Sequence, residues 1–116
     1  MKNCKIEVLK TTFHEDLAKE YGCENIGKCP MHQVGDVFYG HYAKPEGLCD
    51  EAWKAMYQYV FAISHGSGKF YYGDWIEKEG IAICSCNDGI RPVIFKIEET
   101  DEDAIINYEP VREHGE

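Results

Sequence analysis

A chain of 116 residues has room for one hydrophobic core and not for two. Hydrophobic residues at 44% and aromatics at 13% exclude a chain disordered throughout. The net charge of −9 lies at one end: from Glu98 onward there are eight acids and one base, Arg112, against thirteen acids and eleven bases before it. Such an acidic end argues against nucleic acid or an anionic membrane as partner.

The opening Met1-Lys2-Asn3-Cys4-Lys5 carries charge into an alternating segment, which does not read as a signal peptide. No apolar run approaches membrane-spanning length, so a cytoplasmic location is expected. Lys5 to Lys10 sets Ile6 and Val8 against Glu7 and reads as a first strand. Thr12-Phe13-His14-Glu15 has the spacing of a capping box, with Leu17, Ala18 and Tyr21 at helical steps and Gly22 as a left-handed end.

Cys23 to Met31 reads as a loop containing Cys29-Pro30, and Val34 to Tyr39 as a turn entering a strand. Asp50 fits the N-cap of the longest helix, with Trp53, Met56, Tyr57, Val60 and Phe61 as one core-facing stripe that ends at Ser64. His65-Gly66-Ser67-Gly68-Lys69 lacks the spacing and the preceding strand of a phosphate loop. Gly80 to Cys84 and Pro92 to Ile97 read as two strands joined at Asn87-Asp88-Gly89, with Ala82–Cys86 pairing antiparallel to Val93–Ile97. The order strand, helix, strand, helix, strand, strand predicts an α+β domain over residues 1–97. It has a mixed or antiparallel sheet of about four strands, two helices on one face and an acidic tail over 98–116. Ile105, Ile106 and Tyr108 leave room in that tail for a short strand or a docking contact.

Cys29-Pro30 with Val34-Gly35-Asp36-Val37-Phe38, then Pro45-Glu46-Gly47-Leu48-Cys49-Asp50-Glu51-Ala52-Trp53, then Asp88-Gly89-Ile90-Arg91-Pro92-Val93-Ile94-Phe95-Lys96 follow one another in the chain. In these motifs the sequence resembles an uncharacterised family of small single-domain prokaryotic proteins frequent in anaerobes. The resemblance covers most of the chain up to about Glu98 and implies no established activity. Cys29, Cys49 and Cys86 fall inside the shared motifs, whereas Cys4, Cys23 and His32 do not clearly do so.

Six cysteines in a reducing compartment need an account other than structural disulfides: metal binding, catalysis or burial. Residues two apart on a strand share a face, so Cys84 and Cys86 are expected to present their sulfurs side by side. The leading reading is a soft metal site for zinc or iron, with Cys84 and Cys86 as two ligands, Cys29 a third, and Cys49 or His32 the fourth. A second reading is a thiol-dependent enzyme or small-molecule-binding protein using Cys49 or Cys86. Cys49 would be activated by the helix N-terminus, and Arg91 would clamp a carboxylate or phosphate. Trp53, Tyr57, Tyr71, Tyr72 and Trp75 offer walls for such a ligand. A third is a structural or interaction module with buried cysteines, Arg91 paired to Asp88 or Asp50, and exposed aromatics in a homo-oligomer interface. Under either functional reading, Cys29, Cys49, Cys86 and Arg91 should meet near the start of the long helix.

Overall fold

Alternation in the first strand decides which side of the sheet becomes the inside. In β1 (Lys2–Thr11), Cys4, Ile6 and Val8 are fully buried while Lys5 and Glu7 point the other way. The computed structural model describes residues 1–109 and Val111. After β1 come α1 (Glu15–Tyr21), β2 (Val37–Gly40), α2 (Asp50–Ser64), a 3₁₀ turn at Tyr71–Gly73, β3 (Ile81–Ser85) and β4 (Val93–Asp103). The strands form one antiparallel sheet in the order β2-β1-β4-β3, an α+β architecture as the pattern predicts.

β3 and β4 form the expected hairpin, with Ala82 opposite Ile97 and Cys84 opposite Phe95. Ala82, Val93, Phe95 and Ile97 carry the β1 face across the sheet, and α2 closes it with Ala52, Met56, Val60 and Ile63, all but buried or wholly so. Burying each large apolar side chain is worth about 1.5–3 kcal/mol, so this layer carries most of the fold. The opposite face is open, with Lys96 Nζ lying 3.6 Å from Glu7 and 4.0 Å from Glu98.

The buried row of α2 is Ala52-Met56-Val60, so Met56 and Val60 of the expected stripe face the core and its outer aromatics do not. Trp53 is half-buried, whereas Tyr57 and Phe61 are 38% and 42% exposed. Trp53, Tyr57, Phe61 and His65 form a ladder of rings with centroids 5.3, 5.9 and 4.3 Å apart. The N-cap of α2 is Cys49, one residue before the expected Asp50, whose carboxylate instead pairs with Lys44 at 3.2 Å.

The capping box does not form either: His14 caps α1 without a side-chain bond, and the Thr12 hydroxyl donates to Pro92 O at 2.6 Å. Gly22 ends α1 in an extended conformation, φ −78°, not a left-handed one. It is needed for space, since a Cβ there would stand 2.7 Å from Ala18 O and 2.9 Å from Ile26 Cγ2.

β4 runs on to Asp103 beside β1, so the acidic segment begins inside the sheet. Beyond it Asn107 N–H donates to the Tyr42 hydroxyl at 2.9 Å and Tyr108 meets the Tyr42 ring edge-on, a docking contact. The last acids of that segment, Glu113 and Glu116, lie outside the described residues. No helix among the described residues is long and apolar enough to cross a membrane.

Candidate functional site

Three chain segments converge where α2 begins. The first is the entry to α2 itself. Gly47 takes φ +86°, a conformation that side chains disfavour, and turns the chain so that Leu48 buries completely in the core. Lys44 Nζ donates to Leu48 O at 2.8 Å and stitches the turn closed. Cys49 follows as N-cap, its carbonyl accepting the Trp53 amide at 3.0 Å and its sulfur making no capping bond.

The second segment is the loop before β2. It carries Cys29, packed against the core, and His32, which is 4% exposed. The His32 ring stands edge-on to Phe38 and Phe95, and its Nε2 accepts the Cys49 N–H at 3.1 Å. An accepting Nε2 places the proton of the neutral ring on Nδ1. Burial lowers the imidazole pKa, opposed by Asp36, which suits a neutral ring that caps the chain entering α2.

The third segment is the β3–β4 connection. Cys86 N–H donates to Val93 O at 3.0 Å, and its Sγ accepts the Val93 N–H at 3.3 Å, so the sulfur is held at the mouth of the hairpin. Asp88 Oδ1 accepts the amides of Ile90 and Arg91, while its Oδ2 accepts Arg91 Nε at 2.7 Å. That ion pair depresses the Asp88 carboxyl and raises the guanidinium. Asn87 Nδ2 reaches across to Glu51 Oε1 at 3.2 Å and ties the hairpin loop to the first turn of α2.

These segments border a cavity of about 330 Å³ lined by Cys29, Cys49, Cys86, His32 and Arg91, and also by Glu51, Asn87 and Asp88. Cys29, Cys49, Cys86 and Arg91, expected together at the start of α2, thus line one cavity without being gathered there as a ligand set. The partner of Arg91 is Asp88, one of the two acids named for the structural reading. Glu51 and Asn87 carry no mark in the sequence, because an acid in a first helical turn and an Asn in a hairpin loop are both commonplace.

Cys84 is not part of this cavity. It packs on the core, as does Cys86, but lines a second cavity of about 310 Å³ with Tyr59, Phe70, Tyr71 and Trp75. Strand neighbours on one face are about 6.6 Å apart along the chain, enough for the two sulfurs to open into different spaces. Burial pushes the Cys84 thiol up to about 11. Of the aromatics expected to wall a ligand, Tyr71 and Trp75 stack at 4.1 Å in this second cavity, whereas Trp53 and Tyr57 lie on the outer row of α2 and Tyr72 is fully exposed.

Cys4 is a core thiol, its Sγ donating to Val60 O at 3.5 Å and its pKa raised by burial to about 11. Cys23 is exposed, and all six cysteines are free. Among the described residues, no three His, Cys, Asp or Glu side chains are already gathered to hold a metal ion. Compared with protein-family models, with curated proteins and with solved structures, the chain finds no match.

Proposed function

We propose that the cavity at the start of α2 binds a soft metal ion, zinc or iron, with Cys29, Cys49 and Cys86 as thiolate donors. The observation that carries this reading is that three thiols from three separate segments line one cavity. Glu51 and Asp88 also line the cavity, but each is already paired, Glu51 with Lys54 at 2.9 Å and Asp88 with Arg91 at 2.7 Å, so the thiols alone carry the reading. Soft ions of this class prefer thiolate and imidazole donors in a tetrahedral set. The donors are not gathered beforehand, so capture draws the loops bearing Cys29 and Cys86 onto Cys49. His32 serves this site by holding the Cys49 amide, since its Nε2 is already engaged there.

Elemental analysis of full-length protein purified without oxygen tests the proposal, because air oxidises neighbouring thiols and releases a soft metal. Bound zinc or iron that disappears in Cys49→Ser is the expected result. Protein that arrives without metal and takes up neither ion contradicts it.

One observation favours a second reading, a thiol-dependent site for a small electrophilic ligand. Cys49 stands at the N-terminal end of a fifteen-residue helix with its sulfur free of any capping bond. Asp88 holds Arg91 through Nε, leaving the terminal nitrogens turned to other partners such as a ligand carboxylate. Rapid alkylation confined to Cys49 in metal-free protein supports that reading.

A further inference from the structure

β3 is an edge strand of the sheet, paired on one side only, with β4. Gly80 O accepts the Glu99 amide while its N–H donates to Gly68 O at 2.8 Å just before the strand, and Cys86 N–H donates to Val93 O; from Ala82 onward the even-numbered residues turn their backbone groups toward β4. By the alternation of an antiparallel ladder, the N–H and C=O groups of Ile81, Ile83 and Ser85 point away from the sheet. Among the described residues these groups have no hydrogen-bond partner. Natural edge strands are usually blunted by charge, proline or a bulge. The segment Ile81-Ala82-Ile83-Cys84-Ser85 has none of these and pairs with β4 in unbroken register. Ile83 is 46% exposed, and Tyr71 and Trp75, 43% and 71% exposed, border the same strand.

We propose that this edge pairs with a second copy of the chain, β3 against β3 in antiparallel register about a two-fold axis at Ile83. The two sheets then merge into one of eight strands. The argument for a second copy is self-complementarity of hydrogen bonding and charge. With Ile83 opposite itself, Ile81 faces Ser85 of the other copy, and each outward donor meets an outward acceptor. No like charges meet along the seam, because residues 81–85 are uncharged. The acidity stays clear of it as well: β4 runs past its last β3 partner, Glu98, as far as Asp103, beyond the Ile81 end of β3. A two-fold axis sends those acidic extensions to opposite ends of the merged sheet.

Sedimentation equilibrium over a concentration series up to about 1 mM measures the association directly. The wild-type chain is expected to form a dimer that tightens with added salt, since two chains of charge −9 repel. Ile83→Lys places a charge on the axis and is expected to weaken the dimer about tenfold or more. Val37→Lys, on the opposite edge strand β2, is expected to leave it intact. Both residues are exposed on the open face, so circular dichroism should report a native fold for each. Hydrogen exchange adds a backbone readout: the Ile83 amide is expected to gain protection as concentration rises. A monomer throughout, a dimer indifferent to Ile83→Lys, or one lost with Val37→Lys overturns the proposal.

Discussion

The backbone amide of Cys49 donates to Nε2 of His32 at 3.1 Å, and this bond joins the loop before β2 to the start of α2. The ring that accepts it is wedged between Phe38 and Phe95, so one buried histidine fixes both the loop and the helix entry. His32→Ala leaves an unsatisfied amide and a void, and is expected to cost about 2–4 kcal/mol in urea denaturation.

The same histidine gives a pH dependence of defined sign. Burial holds its folded pKa below the ordinary 6.5. As pH falls through that value the unfolded chain takes up a proton that the folded chain resists, so stability is full above about pH 6.5 and declines below it. Denaturation midpoints of metal-free protein between about pH 5 and 7 should fall on acidification. The slope should flatten in His32→Gln, and an equal slope in that variant assigns the effect elsewhere.

Thiol reactivity should sort by burial. Cys4 and Cys84 are pushed up to about 11, so at about pH 8 few of them are thiolate. Mass mapping after brief iodoacetamide treatment should find exposed Cys23 modified and Cys4 and Cys84 untouched. Early labelling of Cys84 would show that its cavity opens readily.

Asp88 organises the hairpin loop through two backbone amides as well as through Arg91. Asp88→Ala removes all three bonds and is expected to cost about 1–3 kcal/mol, while Arg91→Gln keeps the backbone pair and costs about 1 kcal/mol or less. Equal losses in thermal or chemical unfolding mean that the ion pair, not the turn, carries the contribution.

Much of this fold is legible in the sequence because alternation and turn chemistry agree. Ile6 and Val8 mark the inner face of β1, and Asp88-Gly89 between two apolar runs marks the hairpin. The buried row of α2 is less legible. Two neighbouring rows, Ala52-Met56-Val60 and Trp53-Tyr57-Phe61, are both apolar at four-residue spacing, and size alone favours the aromatic one. The sheet selects the slimmer row, which lets α2 lie close to it. At the site, proximity of Cys49 to Cys86 follows from the motifs and the hairpin, whereas the separation of Cys84 depends on how α2 and the Tyr71–Trp75 segment divide the space above β3. Gly22 shows a similar limit: its sequence position signals a helix end, but the reason for glycine is the nearness of Ala18 O and Ile26.

That difference is testable at Gly22. An alanine there meets a backbone oxygen and should lower stability by about 1–3 kcal/mol, seen as a shifted denaturant midpoint with an unchanged slope. A neutral effect would mean that α1 unwinds at little cost.

The central claim is that Cys29, Cys49 and Cys86 act together on one soft ion. Anaerobic zinc titration of reduced protein by isothermal calorimetry, repeated in buffers of different ionisation enthalpy to count released protons, tests it most directly. A single tight site with proton release is predicted, lost in Cys29→Ser, Cys49→Ser and Cys86→Ser and kept in Cys84→Ser and Cys23→Ser. No binding, or binding that survives all three cavity substitutions, would contradict the account.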